Sequence, residues 1–248
     1  MTKSSELPRI VFLHIPKTGG TTLHRVLIEQ FKPEQIWPQT NPTIATADPT
    51  SLERYRLFSA HFGMAAVDLI PGPKIVVTIM RRPRDRILSM YYYWRSHPGR
   101  YPDTPIFGPP YAAQNLDLLS FLRCQDRSVP NAIQNPVVNI LTGIAPQNHT
   151  RASLSRAIEV LKTFNAVGDF ANFDNSVANI LARCNLPQPA ILPRLNVAAD
   201  VKPGDPFRHV IEREPITPEI EAELARISNL DDELYEFAVG NSQRAGCC

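Results

Sequence analysis

Residues 9–31 read RIVFLHIPKTGGTTLHRVLIEQF: an apolar, β-branched run passes through PKTGGTT into a helical pattern. Leu23, Val26, Leu27 and Phe31 fall on one face of that helix. A buried strand feeding a helix through two glycines and a lysine has a physical reason when the loop meets an anion. Gly19-Gly20 lets the backbone approach a ligand closely, and the helix start offers unpaired N–H groups with partial positive charge.

The rest of the chain repeats the alternation. Strand-like runs occupy Ile10–Ile15, Leu57–Ala60, Lys74–Met80 and Ala166–Phe170, and helical patterns occupy Thr22–Phe31, Arg84–Ser96, Leu154–Phe164 and Phe173–Cys184. A last helix starts with Thr217 as N-cap, Pro218 at N1 and Glu219 in the first turn. Strands alternating with helices predict an α/β fold: a single P-loop-like domain over 1–248 with a central parallel sheet and helices on both faces. Residues 1–8 and 240–248 are expected as flexible ends. Ligands in such sheets sit beyond the carboxyl ends of the strands, where PKTGGTT falls. The proline-rich stretch His97–Tyr111 and the stretch Trp37–Asp48 read as irregular, either substrate-side loops or surface.

A net charge of +2 with 20% charged residues is too mild to argue for a nucleic-acid coat. No run approaches membrane-spanning length, and the start, MTKSSELPR, has no apolar signal core. Cys124, Cys184, Cys247 and Cys248 show neither metal spacing nor a disulfide framework, which points to a reducing, cytoplasmic setting. The terminal Gly246-Cys247-Cys248 reads as a frayed end. Oligomeric state is not readable from the sequence.

The loop differs from the nucleotide triphosphatase pattern GxxxxGK[ST], because Lys17 precedes Gly19-Gly20 and no GK[ST] occurs. The strand Lys74–Met80 carries no carboxylate for a metal; arginines follow it. In MRRPRDRILSMYYYWR, residues 80–95, Pro83 suits a first helical turn, with Arg81 at the strand end and Ser89 further along the helix. An arginine and a hydroxyl converging there suit a second phosphate, distinct from the one at the first loop.

HIPKTGGTT (14–22) followed by R-x-P-x-x-R-x-x-S-x-Y-Y-Y (81–93) resembles the sulfotransferase family 2 group, relatives of the heparan sulfate 2-O-sulfotransferases. The resemblance continues through FNAVGDFANFDNSVANIL (164–181), Leu195-Asn196-Val197 and LDDELYEFA (230–238). Asn135-Pro136-Val137-Val138-Asn139 stands where many relatives read Asn-x-Gln-Thr-Arg. The resemblance implies 3′-phosphoadenosine 5′-phosphosulfate (PAPS) as cofactor and adenosine 3′,5′-bisphosphate as product. It implies Lys17, Thr18, Gly19, Gly20, Thr21 and Thr22 around the 5′-phosphosulfate, and Arg81 with Ser89 around the 3′-phosphate. The acceptor is then a small molecule or glycan hydroxyl, with carbohydrate favoured by the family.

Sulfuryl transfer is in-line, so positioning and charge stabilisation on the leaving phosphate carry it, a task for Lys17. An alcohol acceptor must also lose a proton. His61, in FSAHFG after the strand Leu57–Ala60, is the preferred base, matching a catalytic histidine the family carries in a similar motif. Glu53 and Asp68 are weaker candidates. His14 reads as a packing or hydrogen-bonding residue, Tyr91–Tyr93 and Trp94 as core and groove wall. Arg84 and Arg86 read as solvated or paired, with Asp85 or Asp103. Two other functions fit the loop: a nucleotide phosphotransferase, which needs a metal-binding carboxylate, and a non-catalytic nucleotide-binding module, which does not need His61.

Overall fold

The computed structural model describes residues 8–38, 44–96, 108–193 and 209–245. Four strands, β1 (Arg9–Leu13), β2 (Leu57–Ala60), β3 (Lys74–Met80) and β4 (Ala166–Asp169), form one sheet in the order β2-β1-β3-β4. Every pair is parallel, with Ile10 opposite Leu57, Ile10 also opposite Ile75, and Val77 opposite Ala166. The helices are α1 (Gly20–Ile28), α2 (Pro49–Leu52), α3 (Met64–Leu69), α4 (Pro83–Ser96), α5 (Pro109–Asn115), α6 (Leu118–Leu122), α7 (Ser128–Ile133), α8 (Pro136–Thr142), α9 (Arg151–Lys162), α10 (Phe173–Arg183) and α11 (Pro218–Ala245).

Strand alternation divides the core. Val11 and Leu13 of β1 join Phe58, Met80, Val138, Leu161 and Leu234 on one face. Ile10 and Phe12 join Leu23, Leu27, Val77, Ile180 and Leu181 on the other. Helices therefore cover both faces, α1 and α10 on one, α8, α9 and α11 on the other, as a buried parallel sheet requires. A third apolar cluster packs α4 to α7 against the start of α11 through Ile87, Tyr91, Phe121 and Leu224.

The chain leaves β1 for β2 on one side and then crosses to β3 on the other. The connections therefore diverge at the carboxyl ends of β1 and β3, where open α/β sheets form their ligand crevice. PKTGGTT follows β1 and Arg81 follows β3.

Several expectations need correction. α11 extends through residues 240–245, where the chain has no proline to stop the helix. The Pro8 carbonyl accepts from Arg56 at 3.2 Å. Tyr111, placed in an irregular stretch, lies in α5, which opens on Pro109 and Pro110; residues 97–107 lie outside the described residues. In the stretch Trp37–Asp48, Trp37 is buried among Tyr55 and Phe58, and 39–43 lie outside the described residues. Residues 1–7, Leu195-Asn196-Val197 and Gly246-Cys247-Cys248 also lie outside them. No helix among the described residues is long and apolar enough to cross a membrane.

Candidate active site

The loop after β1 is pinned from inside. Thr18 is fully buried and its hydroxyl donates to the carbonyl of Ile15 at 2.8 Å. Lys17 and Gly19 both take left-handed backbone conformations, φ 68° and 80°. For a lysine that conformation costs on the order of 1–3 kcal/mol and persists only where the surroundings impose it. Gly19 caps α1 without a side-chain hydrogen bond; in the first turn of this nine-residue helix the Thr22 N–H donates to the Gly19 carbonyl at 3.1 Å, and Gly20 and Thr21 carry the other N–H groups. Thr21 is exposed and Thr22 buried.

Both glycines are required by close neighbours. A Cβ at Gly20 would lie 2.0 Å from the His14 imidazole, and one at Gly19 would lie 2.7 Å from Phe173 and 2.9 Å from Phe170. The loop is thus wedged between a histidine beneath the start of α1 and two aromatics after β4.

The second motif meets the first. Arg81 Nη1 donates to the Lys17 carbonyl at 3.2 Å, and its guanidinium lies over the Phe170 ring at 4.4 Å. Burial lowers the Arg81 pKa, with Asp85 acting in the opposite direction. A guanidinium has five N–H donors, so one bond to a carbonyl leaves capacity for a phosphate. Ser89 sits half-buried in α4, and its hydroxyl makes no hydrogen bond among the described residues. One turn further along the same helix face, the Tyr93 ring lies 3.8 Å from Lys17 Nζ.

His61 stands on the other side of the loop. Its Nδ1 lies 2.6 Å from the backbone oxygen of His14. A carbonyl only accepts, so Nδ1 must carry the proton and Nε2 keeps the basic lone pair in the neutral ring. The His14 and His61 rings are 4.1 Å apart. Burial first, then the charges of His61, His24 and Lys17, push the His14 pKa down to about 3, so His14 is neutral at ordinary pH. The same order of causes, burial and then His61, lowers the His24 pKa; its Nδ1 lies 2.8 Å from Ser59 Oγ.

His14, Pro16 and His61 line a cleft of roughly 590 Å³ together with Met64, Ile140 and Arg156. Asp68 lines it too, whereas Glu53 ends α2 and takes no part in it. The structure therefore brings together Lys17, Thr18, Gly19, Gly20, Thr22 and Arg81 at the loop, and His61 beside it.

The other arginines behave differently. Arg84 pairs with Asp85 at 3.2 Å and with Glu221. Arg86, expected to be solvated or paired with Asp85 or Asp103, is fully buried, because its position in α4 faces Asp231 of α11. Burial pushes its pKa down to about 10, and burial pushes that of Asp231 up to about 6. Sequence reasoning missed His24, Phe170 and Phe173 as neighbours of the site. His24 carries a signal in hindsight, since it lies one turn after Gly20 on the helix the loop begins.

Arg81 on the Lys17 carbonyl brings the two motifs into contact. No protein-family model matches the chain, and no curated protein matches it in sequence. Among solved structures, mouse sulfotransferase SULT7A1 complexed with PAP is similar over 100% of this chain and 93% of that one, at 17% identity and a TM-score of 0.43. An overlap that loose adds nothing to the α/β architecture, which stands on the parallel sheet itself.

Proposed function

We propose that the chain is a PAPS-dependent sulfotransferase that passes a sulfuryl group to an acceptor hydroxyl. The observation that carries this reading is the Arg81–Lys17 contact, which joins the loop after β1 to the arginine segment after β3, far apart in sequence, at one crevice. The glycine cradle, the open helix start, one lysine, one arginine and an uncommitted serine fit a ligand with anionic groups at two places. Lys17, Thr18, Gly19, Gly20, Thr21 and Thr22 would take the phosphosulfate end, and Arg81 with Ser89 the 3′-phosphate. When bound, PAPS supplies the sulfuryl group.

The chain's own residues account for the remaining work. The loop amides and Lys17 stabilise negative charge as it gathers on the leaving side, preorganised donors being the main source of such acceleration. His61 Nε2 takes the acceptor's proton, and the hydrogen bond from Nδ1 to the His14 carbonyl holds the ring in the tautomer that can do so. His14 stays neutral and supports the loop. The acceptor occupies the cleft beside His61, whose mixed lining of Phe62, Met64, Ile140, Asp68 and Arg156 suits a compact hydroxylated molecule. A carbohydrate remains the class implied by the family resemblance. Cytoplasmic operation belongs to this proposal and rests on the cysteine spacing, which shows no disulfide framework.

The test is transfer of label from ³⁵S-PAPS to a pooled set of sugars, phenols and aliphatic alcohols, with Lys17→Ala as control. Label in an acceptor, lost in the variant, supports the reading. No transfer to any pool, with ADP bound as tightly as the bisphosphate, would assign the loop to an ordinary nucleotide.

A further inference from the structure

The Lys17 side chain carries the charge the proposed reaction depends on, and its placement is unusually constrained. Its backbone is left-handed at φ 68°, and its carbonyl is held by Arg81 at 3.2 Å. Its ammonium lies 3.8 Å from the centroid of the Tyr93 ring. That ring comes from a helix fixed on its opposite side: Ile87 and Tyr91 of α4 are fully buried in the third apolar cluster. The Tyr91 hydroxyl is bonded to the Leu116 carbonyl at 2.9 Å and to Glu214 at 2.6 Å. The aromatic face is therefore a rigid seat, whereas a lysine stem with four rotatable bonds has no geometry of its own. A ring quadrupole attracts a cation most where water is displaced, and Tyr93 is half-buried.

Resting on the sulfotransferase reading, we propose that Tyr93 is a positioning residue for Lys17: its ring face seats the ammonium beside the phosphate loop. What the site needs from position 93 is an aromatic face. The same position would look like groove wall if only its burial were considered.

Two readouts test this. The first is the acylation rate of Lys17 Nζ in nucleotide-free protein, measured against the other lysines of the same molecule. Tyr93→Phe should label like wild type, and Tyr93→Leu at least threefold faster, because the ammonium loses its seat. The second is turnover with PAPS. Tyr93→Leu should lose about tenfold in kcat while keeping the preference for adenosine 3′,5′-bisphosphate over ADP, which falls to Arg81, and Tyr93→Phe should restore kcat. If Tyr93→Leu does not fold, Tyr93→Met serves in the same comparison. Equal labelling in the Phe and aliphatic variants overturns the seat, and so does unchanged kcat in the aliphatic one. The labelling needs no cofactor, so a shielded lysine in a chain that does not bind the bisphosphate upholds the seat and overturns the sulfotransferase reading.

Discussion

His61 Nδ1 and the main-chain oxygen of His14 are 2.6 Å apart, and that one hydrogen bond leaves Nε2 as the ring's basic atom beside the cleft that His61 lines with Met64 and Ile140. His61→Ala should therefore lower turnover by about 10²–10⁴. Bisphosphate affinity should stay within twofold, since His61 lies beside the loop and not in it. Steady-state kinetics paired with calorimetry reads both, and a variant at full rate would assign the base elsewhere.

Gly20 and His14 are a packing pair. Gly20→Ala would place a methyl 2.0 Å from the imidazole, so the loop or the ring must move. The expected loss is about 1–3 kcal/mol of stability, the range for overpacking. His14→Ala in the same chain should recover most of it. A double-mutant cycle by denaturant unfolding measures the coupling; purely additive losses would contradict the contact.

The pH dependence of stability should carry the signature of His14. Its folded pKa, about 3, lies below the ordinary 6.5, so between those values the unfolded chain binds more protons. Stability from this group is full above pH 6.5 and is lost as pH falls towards 3, by up to about 1.4 kcal/mol per pH unit. Asp231 acts the other way: its folded pKa is raised from 3.8 to about 6, so its contribution falls as pH rises across that window. Comparing wild type with His14→Asn cancels the Asp231 contribution. The stability difference between the two chains should narrow as pH is lowered from 6.5 to 4.5.

Asn135 has a structural task that its sequence motif did not show. With a left-handed backbone, φ 42°, its Oδ1 accepts from the N–H groups of Leu230 at 2.9 Å and Asp231 at 3.0 Å. Its own N–H donates to the Ile227 carbonyl at 2.9 Å, and Asp231 in return accepts from the N–H groups of Val137 and Val138. α8 and α11 are thereby spliced end to side. Asn135→Ala strands buried donors at the cost of about 1–3 kcal/mol each. Thermal unfolding should show the loss, with bisphosphate affinity in the folded fraction unchanged.

Much of the fold was legible because apolar periodicity and sheet pairing coincide. Leu57–Ala60 and Lys74–Met80 match the observed strands, and Pro83 opens α4 as its fixed φ suggests. The apolar run after Arg9 continues to Ile15, but strand pairing ends sooner, where the chain turns into the loop, and Ile15 goes into the core instead. The helices between 109 and 142 were not legible. They are short, and Pro109 and Pro136, which begin two of them, carry the same signal as a loop. Within the site, Lys17, Gly19, Gly20 and Arg81 were readable because each residue type has a local reason to be there. The burial of Arg86, the aromatics against Gly19 and the seat of Lys17 on Tyr93 depend on how distant elements pack, which no local pattern encodes.

The most direct test is a calorimetric titration of wild type and Arg81→Ala with adenosine 3′,5′-bisphosphate beside ADP. The account predicts that wild type prefers the bisphosphate and that Arg81→Ala loses about 1.5–3 kcal/mol of affinity for it, the worth of a charged hydrogen bond, with little change for ADP. Equal binding of the two nucleotides by wild type, or a preference untouched by the substitution, would contradict it.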